Sequence, residues 1–257
     1  MRYNLFSSTS GKLLCRFIVP LLQVLLFTPI IQGQVDQNNP AIKKLADIAA
    51  AYKSANRLSF DVNYLYSTES RPNTYLDSLS GSFKINGNRY NYKIDSTEFI
   101  GNDSINISIF NEDKIIYVNS PANIQSGNPL AMIDSVMLMN QYSSATLTTV
   151  GPLQKIAIVF NPGFMFKKVE YTITPITNLI TKMVGVIESS EMYDPAVKPL
   201  FDKRNEYGIL EVRFRNYGLS GFLDNVFSEG QYLIRVGNQY KPVGRYANYQ
   251  IINGSVR

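Results

Sequence analysis

Leu58-Ser-Phe-Asp-Val-Asn-Tyr-Leu-Tyr66 is the stretch on which the fold turns. Leu58, Phe60, Val62, Tyr64 and Tyr66 alternate with Ser59, Asp61, Asn63 and Leu65. A period of two marks a strand with one buried face. Further along, Gly81-Ser-Phe-Lys-Ile-Asn86 extends again, and Asn86-Gly87 is a tight-turn pair in which glycine supplies the positive φ. Arg89-Tyr-Asn-Tyr-Lys-Ile-Asp95 runs back, with Tyr90, Tyr92 and Ile94 on one face. Ile105, Ile107 and Ile109 predict another strand, Asn111-Glu-Asp-Lys114 a turn, and Ile115 to Val118 a strand after it. A meander of this kind needs a layer to cover its apolar face.

Upstream, Asn39 is placed to cap a helix and Pro40 to occupy its first position. Ile42, Leu45, Ile48, Ala49 and Tyr52 then fall on one helical face, and the helix is expected to end near Ala55 or Asn56. Downstream, Thr68 to Asp77 reads as a polar connection and Pro121 to Pro129 as a breaker. Leu130 to Tyr142 has rough helical spacing and carries Met132, Met137 and Met139. Strands are expected to resume beyond Gly151. They run over Leu153 to Phe160, through Val169, Tyr171 and Ile173, over Leu179 to Ile187, and through Leu210, Val212 and Phe214. A loop is expected from Asp194 to Asn205. Phe222 to Phe227 reads as a short helical turn or an exposed apolar loop, and Tyr232, Ile234 and Val236 as one of the last strands. With no biased linker and no repeat, residues 34–257 are expected to form a single β domain.

The formal net charge is +5, from 25 basic and 20 acidic residues. Residues 1–33 hold Arg2, Lys12 and Arg16, no acid, and the apolar run Phe17 to Ile31. This is the pattern of a signal peptide, cleaved near Gly33-Gln34; the rival reading, a membrane anchor, is disfavoured by Pro20, Gln23 and Pro29. Without the leader's three cations the net charge falls from +5 to +2, and no basic stripe points to nucleic acid. The only cysteine, Cys15, lies in the leader, so stability must come from packing. The chain has no histidine, which excludes His-based catalysis and His metal sites. Glu69, Asp77, Asp95, Glu98, Asp103, Glu112 and Asp113 fall mostly in turns or on polar strand faces. No enzyme, no metal and no cofactor is expected.

What remains is a set of aromatic and aliphatic strand faces. Tyr64, Tyr66, Tyr90, Tyr92 and Tyr117 each have a large apolar body and a polar tip. If the sheet curls, they would line a cavity for an acyl chain; a solid core needs the same residues inside. Together with the leader and first helix, Leu58 to Tyr66, Gly81 to Ile94, Asn111 to Pro121 and Leu210 to Gly218 resemble the periplasmic lipoprotein-carrier and outer-membrane lipoprotein-receptor (LolA/LolB-like) superfamily. The resemblance implies an α+β fold that is mainly β, with two or more helices. Its curved antiparallel sheet would form an unclosed barrel whose concave face the helices cover. It implies a soluble periplasmic protein that binds, and transports, lipid or lipoprotein acyl chains, with envelope transport proteins as partners. Phe60, Val62, Tyr64, Tyr66, Phe83, Tyr90, Tyr92, Ile94 and Tyr117 would line the cavity, and Ile133, Met137 and Leu138 would form a lid. The sequence departs from the family where its interior arginine stands: Asn86-Gly87 is there, and that role is not carried onto the nearby Arg89. The alternative function is a cell-envelope scaffold, or a protein- or glycan-binding module, using the apolar loop around Phe222, Leu223 and Phe227.

Overall fold

The computed structural model describes residues 38–55, 57–121, 142–189, 207–219, 221–237 and 239–254. The expected leader, the lid residues Ile133, Met137 and Leu138, and the loop from Asp194 to Asn205 lie outside the described residues.

One α-helix is described, α1 (Pro40–Ser54). Asn39 caps it: its Oδ1 accepts from the Ala41 amide at 2.9 Å. Proline at the first helical position removes an N–H that has no partner there in any helix. Ala41, Ile42, Leu45, Ile48 and Tyr52 are the buried face, as the spacing predicts, except that Ala41 replaces Ala49.

The strands follow in order: β1 (Arg57–Thr68), β2 (Asp77–Asn86), β3 (Arg89–Ile94), β4 (Thr97–Gly101), β5 (Asn106–Phe110), β6 (Ile115–Asn119), β7 (Tyr142–Val150), β8 (Leu153–Phe160), β9 (Phe166–Thr174), β10 (Leu179–Glu188), β11 (Tyr207–Gly218), β12 (Leu233–Val236), β13 (Gln239–Pro242) and β14 (Gln250–Asn253). Twelve of them make one sheet in the order β14-β6-β5-β4-β3-β2-β1-β11-β10-β9-β8-β7. Its two end strands, β14 and β7, do not pair with each other, so the sheet is not closed into a barrel. β12 and β13 form a separate hairpin.

One expectation is corrected. Tyr142 does not end a helix: it is the first residue of β7, a strand that the sequence reading missed. Its Ser- and Thr-rich sequence shows no clear apolar alternation, and the pairing with β8 through the Gly151 turn (φ 59°) is what makes it a strand. The tail is extended, as expected, and the direction of its last strand was not anticipated: β14 pairs parallel with β6 from Gln250↔Ile115 to Asn253↔Val118. Strand β4 was also not anticipated. Every residue in it is buried, including Thr97 and Glu98, so it shows no alternation to find.

The chain forms two compact units. The first takes the described residues of Met1–Ser54, Val62–Leu79 and Pro129–Arg215; the second takes those of Ala55–Asp61, Ser80–Asn128 and Asn216–Arg257. In the first, α1 packs on β7 and β10, and the Tyr52 hydroxyl accepts from the Ile180 amide at 3.0 Å. Ile156, Ile158, Val169, Tyr171, Ile173, Ile180 and Met183 are buried there. In the second, one sheet face carries a core of Ile100, Ile107, Ile109, Ile116 and Val118, closed by Tyr232, Leu233 and Tyr246 from the C-terminal segment.

Candidate functional site

In the second unit, cross-strand pairing puts a row of rings on one sheet face. Phe83 pairs with Tyr92, Tyr92 with Phe99, Phe99 with Ser108, and Ser108 with Tyr117. Directly opposed residues share a face. The rings stack along the row: Phe60–Phe83 at 5.0 Å and 11°, Phe83–Tyr92 at 5.1 Å and 18°, and Tyr92–Phe99 at 4.7 Å and 24°. Tyr217 of β11 leans on Phe60 at 5.5 Å, and Phe110 meets Tyr117 edge-on at 5.6 Å. Such pairs add about 0.5–1.5 kcal/mol each beyond the area they bury.

The row is buried except at Tyr92 and at its far end. Phe60, Phe83 and Phe99 are 1%, 2% and 7% exposed, Tyr92 is half-buried, and Tyr117 is 37% exposed. Tyr90, on the same face as Tyr92 by alternation, donates its hydroxyl to Asn106 Oδ1 at 3.0 Å. Burial pushes the Tyr90 phenol up to about 12. Ile94 is buried at the end of the same face of β3. Val62, Tyr64 and Tyr66 alternate on the Phe60 side of β1 and are buried in the first unit, where burial raises the Tyr64 phenol.

Six of the nine residues expected to line a cavity therefore share one face of the second unit, and the other three continue that side of β1. Sequence reasoning missed Phe99, Phe110 and Tyr217. Phe99 lies in the unrecognised β4, and its register opposite Tyr92 is the signal that would have found it.

The opposite face of these strands is occupied. Asn91 donates to Val226 O at 2.7 Å and to the Tyr232 hydroxyl at 2.9 Å. The buried Glu98 carboxylate accepts from Arg245 Nη2 at 2.9 Å, from the Tyr246 hydroxyl at 3.1 Å and from Asn111 Nδ2 at 3.0 Å. Asp224 accepts from Arg57, Arg89 and Asn86 at 2.8, 3.0 and 3.1 Å, and these contacts hold its carboxyl below the usual range, the Arg89 hydrogen bond foremost. Arg57 and Arg89 also lie over the rings of Phe222 and Phe227. These groups tie the C-terminal segment down, and Arg89 belongs to them and not to the aromatic row. Phe227 is buried, while Leu219 and Leu223 are 65% and 74% exposed.

In the first unit a cleft of about 410 Å³ is lined by Val150, Leu153, Lys155, Glu170, Thr172, Thr181, Lys182 and Val184. Glu170 pairs there with Lys155 at 2.7 Å and with Lys168. Among the described residues no group of three or more Asp, Glu, His or Cys could hold a metal ion, and no helix is long and apolar enough to cross a membrane.

No protein-family model matches the sequence, and no curated protein matches it. Solved structures are similar to it at low identity. They include a conserved protein from Thermus thermophilus (7% identical, TM-score 0.44, covering 81% of this chain and 98% of that one). A LolA superfamily protein from Nitrosomonas europaea is 9% identical with TM-score 0.30, over 77% and 99% of the two chains. The lipoprotein LppX of Mycobacterium tuberculosis is 10% identical with TM-score 0.41, over 72% and 98%. At these TM-scores the fold rests on the strand order above.

Proposed function

We propose that the protein binds the acyl chains of a lipid or lipoprotein, without covalent chemistry, along its aromatic sheet face. The leader pattern supports secretion across the inner membrane, and a soluble periplasmic carrier that transports its guest is the form this takes. The single observation behind the reading is the row Phe60–Phe83–Tyr92–Phe99–Tyr117, whose exposed end is Tyr117. It presents stacked rings on one face while the C-terminal segment fills the other. Each acyl methylene moved out of water against such rings contributes roughly 0.8 kcal/mol. Tyrosine hydroxyls at the wetter end suit a polar headgroup. Ile133, Met137 and Leu138 complete the proposal as a movable cover.

Native mass spectrometry of protein purified from the periplasm tests it. A co-purifying acyl lipid, or uptake of an acylated peptide, is the expected result. Protein that carries no lipid and takes up no acylated peptide sinks it. A second reading has its own observation: Leu219 and Leu223 are both exposed large apolar side chains, which suits a cell-envelope scaffold or a protein- or glycan-binding module. Capture of an envelope protein or glycan that Leu223→Asp abolishes, with no lipid bound, would favour it.

A further inference from the structure

The cleft of the first unit lies on one face of β8, β9 and β10. Lys155, Glu170, Thr172 and Lys182 alternate with the buried Ile156, Tyr171, Ile173 and Met183, so they stand on the opposite side of the sheet from that core. Val150, Leu153 and Val184 give the cleft its apolar walls. A volume of about 410 Å³, apolar walls and a few polar groups are the usual make-up of a small-ligand site.

The strand register gathers the polar groups. Thr181 and Lys182 both line the cleft, although neighbours on a regular strand point to opposite faces. A bulge makes this possible. Ile180 pairs with Ile173 and Lys182 with Thr172, so Thr181 is an extra residue, and its hydroxyl donates to Thr172 O at 3.2 Å. The same register sets Lys182 directly across from Arg213 on one side and from Thr172 on the other, with Lys155 across from Thr172 in turn. Opposed like charges are destabilising. Arg213 is paired with Glu211, at 2.6 Å, and Lys155 with Glu170, which Lys168 shares. Among the described residues, Lys182 has no ion pair and no hydrogen bond from its ammonium, and the Thr172 hydroxyl has no partner.

We propose that this cleft binds a small amphiphilic anion with one negative charge, an aliphatic carboxylate. The carboxylate accepts from Lys182 Nζ and from the Thr172 hydroxyl, and the chain lies along Val150, Leu153 and Val184. The charge follows from the lining, where two lysines face one glutamate. A multiply charged anion would meet the Glu170 carboxylate in the same cleft. An uncharged chain would leave Lys182 opposed to Arg213 with nothing to offset it. The cleft shares no residue with the aromatic row, so this inference does not rest on lipid binding there.

Isothermal titration calorimetry of the secreted chain with octanoate tests it, with circular dichroism and thermal melting as folding controls. The expected result is a saturable one-to-one component that Lys182→Gln weakens roughly tenfold, Thr172→Val weakens several-fold and Lys182→Arg keeps. Acetate lacks the chain and 1-octanol lacks the charge, so each should bind about tenfold more weakly or worse. In a Tyr92→Glu background, which disables the aromatic row, the component should persist. Absence of saturable octanoate binding overturns the proposal. So does a component indifferent to Lys182→Gln, 1-octanol binding as tightly, or a component that Tyr92→Glu abolishes. Lys182-dependent sedimentation with phosphatidylglycerol vesicles, without octanoate binding, overturns it in favour of a membrane contact.

Discussion

Tyr90 lies flat over Gly101. A Cβ at position 101 would sit closer to the Tyr90 ring atoms Cε1 and Cζ than any real Cβ contact allows. The pair is direct, since Tyr90 and Gly101 face each other across β3 and β4. Gly101→Ala must therefore evict a ring that is half-buried and bonded to Asn106. We expect a loss of about 1–3 kcal/mol in urea unfolding. In a Tyr90→Ala background the same substitution should cost less, because the ring is gone and the close approach that remains is Asn106 Oδ1, at 2.8 Å. The Tyr90 phenol makes a second prediction. Its value rises from 10.0 unfolded to about 12 folded, so the fold favours the neutral form. That contribution is complete below pH 10 and is lost as pH climbs through 12. The unfolding midpoint should fall across this window, and Tyr90→Phe should make the fall shallower. Burial raises Tyr64, Tyr171, Tyr232 and Tyr246 as well, and each adds to the slope with the same sign. At this scale the sequence was partly legible. Alternation placed Phe60, Tyr90 and Tyr92 on their faces, but nothing in it aligned Tyr90 with Gly101, because that register is set by the turn after Ile94 into a strand that shows no alternation.

Among the elements, α1 was readable from Asn39-Pro40 and its apolar spacing, because helix capping is local chemistry. Asn39→Ala removes the bond to the Ala41 amide and the one to Ala145 O, and should lower stability by about 0.5–2 kcal/mol with loss of helical ellipticity on mild heating. Strands β4 and β7 were not readable for opposite reasons. β4 is buried on both faces and so has no polar alternation, while β7 is so exposed that Ser and Thr replace the apolar set. The C-terminal segment was legible only as extended and aromatic. Its anchor, Glu98, sat among acids expected on turns or polar faces, yet it is buried beneath Arg245 and Tyr246. Glu98→Ala leaves the Arg245 guanidinium and the Tyr246 hydroxyl without their carboxylate, and should cost about 1–3 kcal/mol. Hydrogen exchange should then accelerate first around Gly244–Tyr246, ahead of the strands that the segment covers.

For the whole molecule, the strand meander follows from period-two runs separated by turn residues and was legible, while the unclosed sheet was expected from the family resemblance and is what the strand order shows. The parallel seat of β14 on β6 was not, because a four-residue strand gains its direction from tertiary pairing and not from its own pattern. The division of the chain into two compact units was equally invisible, since β1, β2 and β11 each run from one into the other without a break in composition. The candidate site shows the same limit. The apolar residues were identifiable from sequence, but their assembly into one aromatic face, with the opposite face occupied, depends on register. Irradiating the secreted protein loaded with a photoactivatable fatty-acyl peptide, and mapping the adducts by peptide mass spectrometry, probes that face directly. The account predicts adducts at Phe83, Tyr92 and Tyr117 that Tyr92→Glu abolishes while the protein stays folded. Adducts confined to Leu219 and Leu223, or saturable binding that Tyr92→Glu leaves intact, would contradict it.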